Sequence, residues 1–281
     1  MDLFTVSEPA RGETPVIVEV PHAGTWVPPA YMAPLVAPVR ALGRDADLWV
    51  DALYAGAVEE GATLLVARTS RYVLDLNRSE DDWDEAAVET SARASPPRMP
   101  GSMPRGLVWR LTTDGEPALA RPLRRAELDE RIRTIHRPYH AALRALIERK
   151  RATFGYAIVL AGHSMPSSPR VPHGVAAPSR RDERADVVPG TQGRTTAAGA
   201  LIDVVDAEAR RAGFSVRHDD PYRGGYTTRH YGRPRDGVHA VQVELARRLY
   251  MNEATLERGP RFDEIALFCR SLARLLGKVR P

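Results

Sequence analysis

Three apolar runs in this 281-residue chain each deliver an ionisable side chain. PVIVEVP at 15–21 leads to His22, AIVLA at 157–161 leads through a glycine to His163, and AVQVEL at 240–245 carries Glu244. A lone histidine after a strand is more often a hydrogen-bonded loop residue than a metal ligand, so only the set points to a metal. Two neutral imidazoles and one carboxylate are a common donor set for catalytic zinc, with the fourth position left to water. A further carboxylate nearby can take the proton from that water. Glu244 stands between Val243 and Leu245. Burial there would raise its pKa toward that of a working base, or would demand a partner among the surrounding arginines.

A further segment, Arg71-Tyr72-Val73-Leu74-Asp75-Leu76-Asn77-Arg78, begins as an apolar strand and ends in polar groups. Polar side chains at the end of a buried strand lie at the sheet edge, where α/β folds bind ligands. Arg71 and Arg78 can each hold a carboxylate through two hydrogen bonds or stabilise an oxyanion. The plainer alternative is an Asp–Arg pair beside an asparagine cap.

The elements that must position these groups follow from periodicity. Strands are predicted over 15–21, 62–67, 71–76, 154–161, 215–219 and 240–245. Helices are predicted over 45–60, 119–153, 195–213 and 261–279, and the first carries Asp45, Asp47 and Asp51 on its early turns. Residues 79–118 and 165–193 lack a period; a segment as long as the former is usually a lid or disordered. Strands alternating with helices and no internal repeat predict an α/β fold, one domain over 1–281. A mixed central sheet would be flanked by helices, with long loops at the strand C-terminal ends.

Composition excludes several classes. No run of about 18 apolar residues exists, so no membrane span is implied. The N-terminus lacks the basic-then-apolar order of a secretory signal, and Cys269 is the one cysteine. No intrachain disulfide or multi-thiolate zinc site can form, and a cytoplasmic protein is expected. The net charge of +4 invites a nucleic-acid reading. All basic residues except Lys150 and Lys278 are Arg, and they are interleaved with acids. That pattern reads as solvated surface, so neither nucleic acid nor membrane is an expected partner. Oligomeric state is left open by the sequence.

Several motifs, in order, resemble those of the N-formylglutamate amidohydrolase family. They are PHAG at 21–24, DADLWVDALY at 45–54, SRYVLDLNR at 70–78, GHSM at 162–165, ADVVPG at 185–190, GGYTTRHYG at 224–232 and GVHAVQVELARRLYM at 237–251. The resemblance spans roughly 15–255. More distantly, the arrangement is similar to aspartoacylases and zinc carboxypeptidases, which implies a zinc-carboxypeptidase-like fold.

The resemblance implies roles. His22 and His163 would ligate Zn2+, or another divalent transition ion. Glu244 would be the general base on the activated water and then protonate the leaving amine. Arg71 would polarise the formyl oxygen or hold the oxyanion. Asn77 and Arg78 would grip the α-carboxylate, Arg229 a side-chain carboxylate, and Tyr226 and His230 would line that pocket. In the aspartoacylase and carboxypeptidase relatives the carboxylate ligand lies three residues after the first histidine, but here that residue is Thr25. The carboxylate must come from elsewhere. Asp51, inside the DALY core, is the first choice; Asp47, one helical turn away, is the second, as ligand or as support behind it. The implied reaction is hydrolysis of N-formyl-L-glutamate to formate and L-glutamate, at the end of a histidine degradation route. The rivals are a deacylase of another N-acyl amino acid and a noncatalytic protein binding an acidic metabolite on the same fold.

Overall fold

Val16–Val20 (β2, VIVEV) is buried at every position, the pattern of a parallel strand covered on both faces. Thr63–Ala67 (β3), Ala157–Met165 (β4) and Val238–Ala246 (β6) are its parallel companions, with Phe4–Ser7 (β1) and Val187–Gly190 (β5) antiparallel at the two edges. The strand order is β1-β3-β2-β4-β6-β5, so the molecule has the expected α/β architecture with a mixed sheet. The computed structural model describes residues 2–10, 12–83, 86–89, 106–169 and 183–281.

Alternation along the strands splits the core into two layers. Val16, Val18, Ile158, Leu160, Val241 and Val243 face the layer of Val50–Leu53 (α2), Gly199–Arg211 (α5) and Phe262–Leu276 (α7). Ile17, Leu65, Val159 and Ala240 face Arg125–Arg131 (α3) and Arg137–Phe154 (α4). Ile132–His136 joins α3 to α4 as a π-helical turn. Two further short helices, Val39–Asp45 (α1) and Tyr226–Tyr231 (α6), lie beside the strand ends.

Four expectations are corrected. Residues 71–76 are not a strand: their backbone groups are satisfied by a turn (Val73 N–H to Ser70 O, 2.9 Å), by a neighbouring loop (Asp75 N–H to Leu107 O, 2.9 Å) and by the Arg131 guanidinium on Val73 O (2.9 Å). The predicted helix 45–60 is broken, because Trp49 adopts a left-handed conformation (φ 70°) between α1 and α2 and a 3-10 turn, Ala55–Glu60, follows. Residues 215–219 contribute only a single bridge, Val187↔Val216. Part of the expected loop 165–193 is the edge strand β5, short and proline-containing, and so without a periodic signal. Of the expected lid at 79–118, residues 84–85 and 90–105 lie outside the described residues, and so do 170–182 of the second loop. The part at 106–109 is buried and packs on the Arg71–Asn77 segment. No helix among the described residues is long and apolar enough to cross a membrane.

Candidate active site

The parallel strands bring their C-terminal halves to one side of the sheet. Glu19 of β2 registers with Ala161 of β4, and Ala161 with Gln242 of β6. One step further along, His163 lies directly across from Glu244. These positions share one face because side chains repeat every second residue along a strand. His22 follows β2 at the same end. His163 and Glu244 are therefore strand residues rather than loop residues, each held by the sheet's own hydrogen bonds.

Asp47 completes the centre. Its backbone N–H donates to His22 O (2.9 Å), and its Oδ2 lies 2.9 Å from His163 Nδ1 and 3.6 Å from His22 Nδ1. His22, Asp47 and His163 are buried and offer one ligand atom each within 4.8 Å of one another, the one such cluster among the described residues. Asp51 sits half-buried on the first turn of α2, outside the cluster. The left-handed Trp49 separates the two acids, so they do not stack one turn apart as a continuous helix would place them. The Trp49 turn is pinned by Nε1–H on Leu256 O (3.0 Å) and by the Arg258 guanidinium 4.6 Å from the ring centre. Arg247, also buried, donates to Ala46 O (2.6 Å) and approaches Asp47 Oδ1 (3.4 Å), which fixes the acid from behind.

Asp75 holds His22 from the other side. It is fully buried, and its Oδ1 accepts from His22 Nε2 (2.7 Å) and Asn77 N–H (3.0 Å). Oδ2 accepts from Arg71 Nη2 (2.7 Å) and Trp109 Nε1 (3.0 Å). Burial opposes its ionisation, but Arg71 and His22 outweigh that and hold the carboxyl well below the usual range. An ionised Asp75 can only accept, so His22 donates to it from Nε2, with Nδ1 turned toward Asp47. A carboxylate behind the ring in this way is the support that a metal-ligating histidine commonly has. Burial likewise opposes ionisation of Asp47, and the His163 hydrogen bond with the His22 imidazole beside it outweighs that, so its carboxyl also lies well below normal. Two ring nitrogens and an ionised carboxylate converging on one gap fit the nitrogen and oxygen donors of a divalent transition ion.

Glu244 is 5% exposed, and burial pushes its carboxyl above the usual range despite the nearby imidazoles. Its Oε1 accepts from Gln242 Nε2 (2.8 Å). Asn77 is gripped on all sides: Tyr226 N–H donates to its carbonyl (3.2 Å), Thr227 N–H to its Oδ1 (2.9 Å), and its Nδ2 lies 3.4 Å from both His163 Nε2 and Gln242 Oε1. Arg71 is committed to Asp75 and lies over the Trp109 ring, 4.3 Å from its centre. Arg78 is about one-third exposed and reaches Asp82 (3.3 Å). On α6, Tyr226 stacks on His230 (ring centres 4.7 Å apart, 18° between planes), and Arg229 is exposed on the same side of the helix.

The structure thus brings His22, His163, Glu244, Arg71 and Asn77 around one centre. Tyr226 adjoins Asn77 through the backbone, and Arg78 and Arg229 lie further out toward solvent. The sequence reading gave no role to Gln242, Arg247, His136 or His140. Gln242 was open to detection, since it precedes Glu244 by two on a strand and must share its face. His136 and His140, four apart on a helix, donate through Nε2 to Arg78 O (2.9 Å) and Leu76 O (3.0 Å) and so clamp the backbone on either side of Asn77.

Residues 14–251 match the sequence profile of the family described as N-formylglutamate amidohydrolase. The chain is 37% identical over 248 residues to an N-formylglutamate deformylase of Pseudomonas aeruginosa, across 86% of this chain and 84% of the relative. A Pseudomonas putida N-formylglutamate deformylase is 34% identical over 251 residues, with the same coverage of 86% and 84%. A solved N-formylglutamate amidohydrolase from Ralstonia eutropha JMP134 superposes with a TM-score of 0.86 at 32% identity, over 99% of this chain and 98% of that one. A gene product of Agrobacterium tumefaciens shares the fold, with a TM-score of 0.71 at 22% identity over 98% of this chain and 95% of that one.

Proposed function

The chain belongs to the N-formylglutamate amidohydrolase family, and from that premise we propose that it hydrolyses N-formyl-L-glutamate to formate and L-glutamate with a divalent metal ion held by His22, Asp47 and His163. The observation that carries the reading is the buried His22–Asp47–His163 cluster with a raised-pKa carboxylate, Glu244, directly across the sheet from His163. The curated relatives from both Pseudomonas species carry the deformylase name, which supports the substrate.

Zinc suits the donor set, and an ion held by His22, Asp47 and His163 would supply Lewis acidity to the amide carbonyl and the attacking water. Glu244 takes a proton from that water as the water oxygen bonds to the formyl carbon. Glu244 then returns the proton to the amide nitrogen as the C–N bond breaks, so formate and the free amine leave and the carboxylate is restored. Burial suits Glu244 to both halves, because a raised pKa makes it a stronger base and still an acid able to protonate the departing amine. Arg71, immobilised by Asp75 and Trp109, is the cation available for the developing oxyanion. Asn77 and Arg78 bind the α-carboxylate. Arg229, with Tyr226 and His230, offers the remaining positive charge for the second carboxylate of a dianionic substrate.

The test is formate release from N-formyl-L-glutamate by purified protein, with chelator and then with zinc restored. Release that is abolished and then recovered is expected. In Glu244→Gln, turnover should fall by roughly two to four orders of magnitude, the range for general acid–base catalysis, while the metal stays bound. Undiminished turnover in that variant would rule out Glu244 as the base, and no release from the zinc-loaded wild type would rule out the deformylase reading.

A further inference from the structure

β6 presents two buried polar side chains on one face, Gln242 and Glu244. The Gln242 amide has only one orientation consistent with its neighbours. The backbone N–H of Gly225, a donor that cannot reverse, reaches Oε1 at 2.8 Å. Asn77 Nδ2 approaches the same oxygen at 3.4 Å, and the Asn77 amide is itself oriented by Thr227 N–H on its Oδ1 at 2.9 Å. Gln242 Nε2 is therefore the donating end, and it points at Glu244 Oε1, 2.8 Å away. Gly225 makes the approach possible, since a Cβ there would come within 2.2 Å of the Asn77 amide.

We infer that Gln242 is a positioning residue for the reaction proposed above: it holds Glu244 by Oε1, leaving Oε2 to carry the proton, and with the oxygen of the same amide it meets Asn77 Nδ2. The inference rests on the deformylase reading only for its catalytic consequence. The terminal torsion of a glutamate is broad, so a carboxylate without such a contact samples many orientations. One side chain thus ties the base on β6, the binding residue Asn77 and the start of α6 into a single hydrogen-bonded unit.

Two variants separate its halves. Gln242→Met keeps the bulk and loses both donor and acceptor. With zinc-loaded protein and N-formyl-L-glutamate, kcat should fall about 10–100-fold, the range for groups that orient a functional residue. KM should rise about fivefold as Asn77 Nδ2 loses its acceptor on Gln242. Gln242→Glu retains an oxygen for Gly225 and Asn77, while its other oxygen competes with Glu244 for a shared proton. Its kcat should fall as far, with KM within about twofold of wild type. Loss of kcat and KM together in both variants, loss of zinc, or wild-type kinetics in either would each overturn the inference. Crystal structures of the two zinc-loaded variants supply a readout that needs no substrate. A Glu244 carboxylate turned from its wild-type orientation in both, with Asn77 displaced only in Gln242→Met, is expected. Glu244 unmoved in either variant would overturn the inference. Inactive wild-type protein would sink the deformylase reading alone, and the crystallographic result would still decide on Gln242.

Discussion

Replacing Asp75 by Asn should destabilise the metal-free protein and weaken metal binding at the same time. Asp75 is fully buried and accepts from His22 Nε2, Asn77 N–H, Arg71 Nη2 and Trp109 Nε1, at 2.7 to 3.0 Å. Asparagine keeps one accepting oxygen and turns an NH2 group on the other pair of donors. The Arg71 side chain, 15% exposed, loses its counter-charge. Removing one partner of a buried pair costs about 3–5 kcal/mol, and the partial exposure of Arg71 places this case at the lower end. His22 loses the group that fixes its tautomer, which should weaken metal affinity about 10–100-fold. Urea unfolding of metal-stripped protein measures the first effect, and competition for zinc with a chromophoric chelator measures the second. The folded pKa of Asp75 is depressed, so its stabilisation is present above the ordinary carboxylate range and is lost only as pH falls through the folded value. The stability gap between wild type and variant should therefore stay constant from about pH 5 to 8. Unchanged stability and unchanged zinc affinity together would refute the reading of Asp75 as the support of the site.

Asp47→Asn should lose stoichiometric zinc, measured by elemental analysis after dialysis, whereas Asp51→Asn should keep it; the reverse result would restore the acid inside the DALY core as the ligand. Burial, with His136 alongside, depresses His140 to about 3. The unfolded chain takes up that proton first, so wild-type stability should fall as pH drops from 7 to 4, by about 3 kcal/mol from this residue. In His140→Gln that share of the acid sensitivity should disappear in urea titrations at the two pH values. Gly225→Ala forces a methyl onto the Asn77 amide, for which overpacking costs about 1–3 kcal/mol, and calorimetry should show a lowered Tm.

The parallel strands were legible in the sequence because runs such as VIVEV and AIVLA carry β-branched and aliphatic residues at every position but Glu19, as strands buried on both faces do. His22, His163 and Glu244 followed from them, since a strand's end fixes where its last side chains go. The Arg71–Arg78 segment was legible as chemistry and misread as structure. Its apolar residues are buried by packing on Leu107 and Trp109, and its backbone is satisfied by turns and side chains, which leave no alternating pattern to see. Which acid, Asp47 or Asp51, lies beside the two histidines turns on one backbone conformation. A left-handed tryptophan is a tertiary outcome, secured by Leu256 and Arg258 some 200 residues away in sequence, and no local propensity announces it. Gln242 required counting by two from Glu244 and then knowing that Gly225 and Asn77 would arrive from elsewhere.

The pairing of β4 with β6 runs unbroken from Ala157↔Val238 to Met165↔Ala246, and His163↔Glu244 is one of its rungs. Separating Glu244 from His163 would therefore mean tearing the centre of the sheet, an event on the scale of global unfolding. In hydrogen-exchange terms, the amides around His163 and Glu244 should be among the slowest of the described residues, while those of Arg78–Trp83 should exchange faster. On the roles proposed for Arg78, Tyr226, Arg229 and His230, substitutions there would alter which acyl amino acid is accepted without spending the stability that holds His163 and Glu244 in register. Divergence of selectivity within the family has a route that leaves the chemistry untouched.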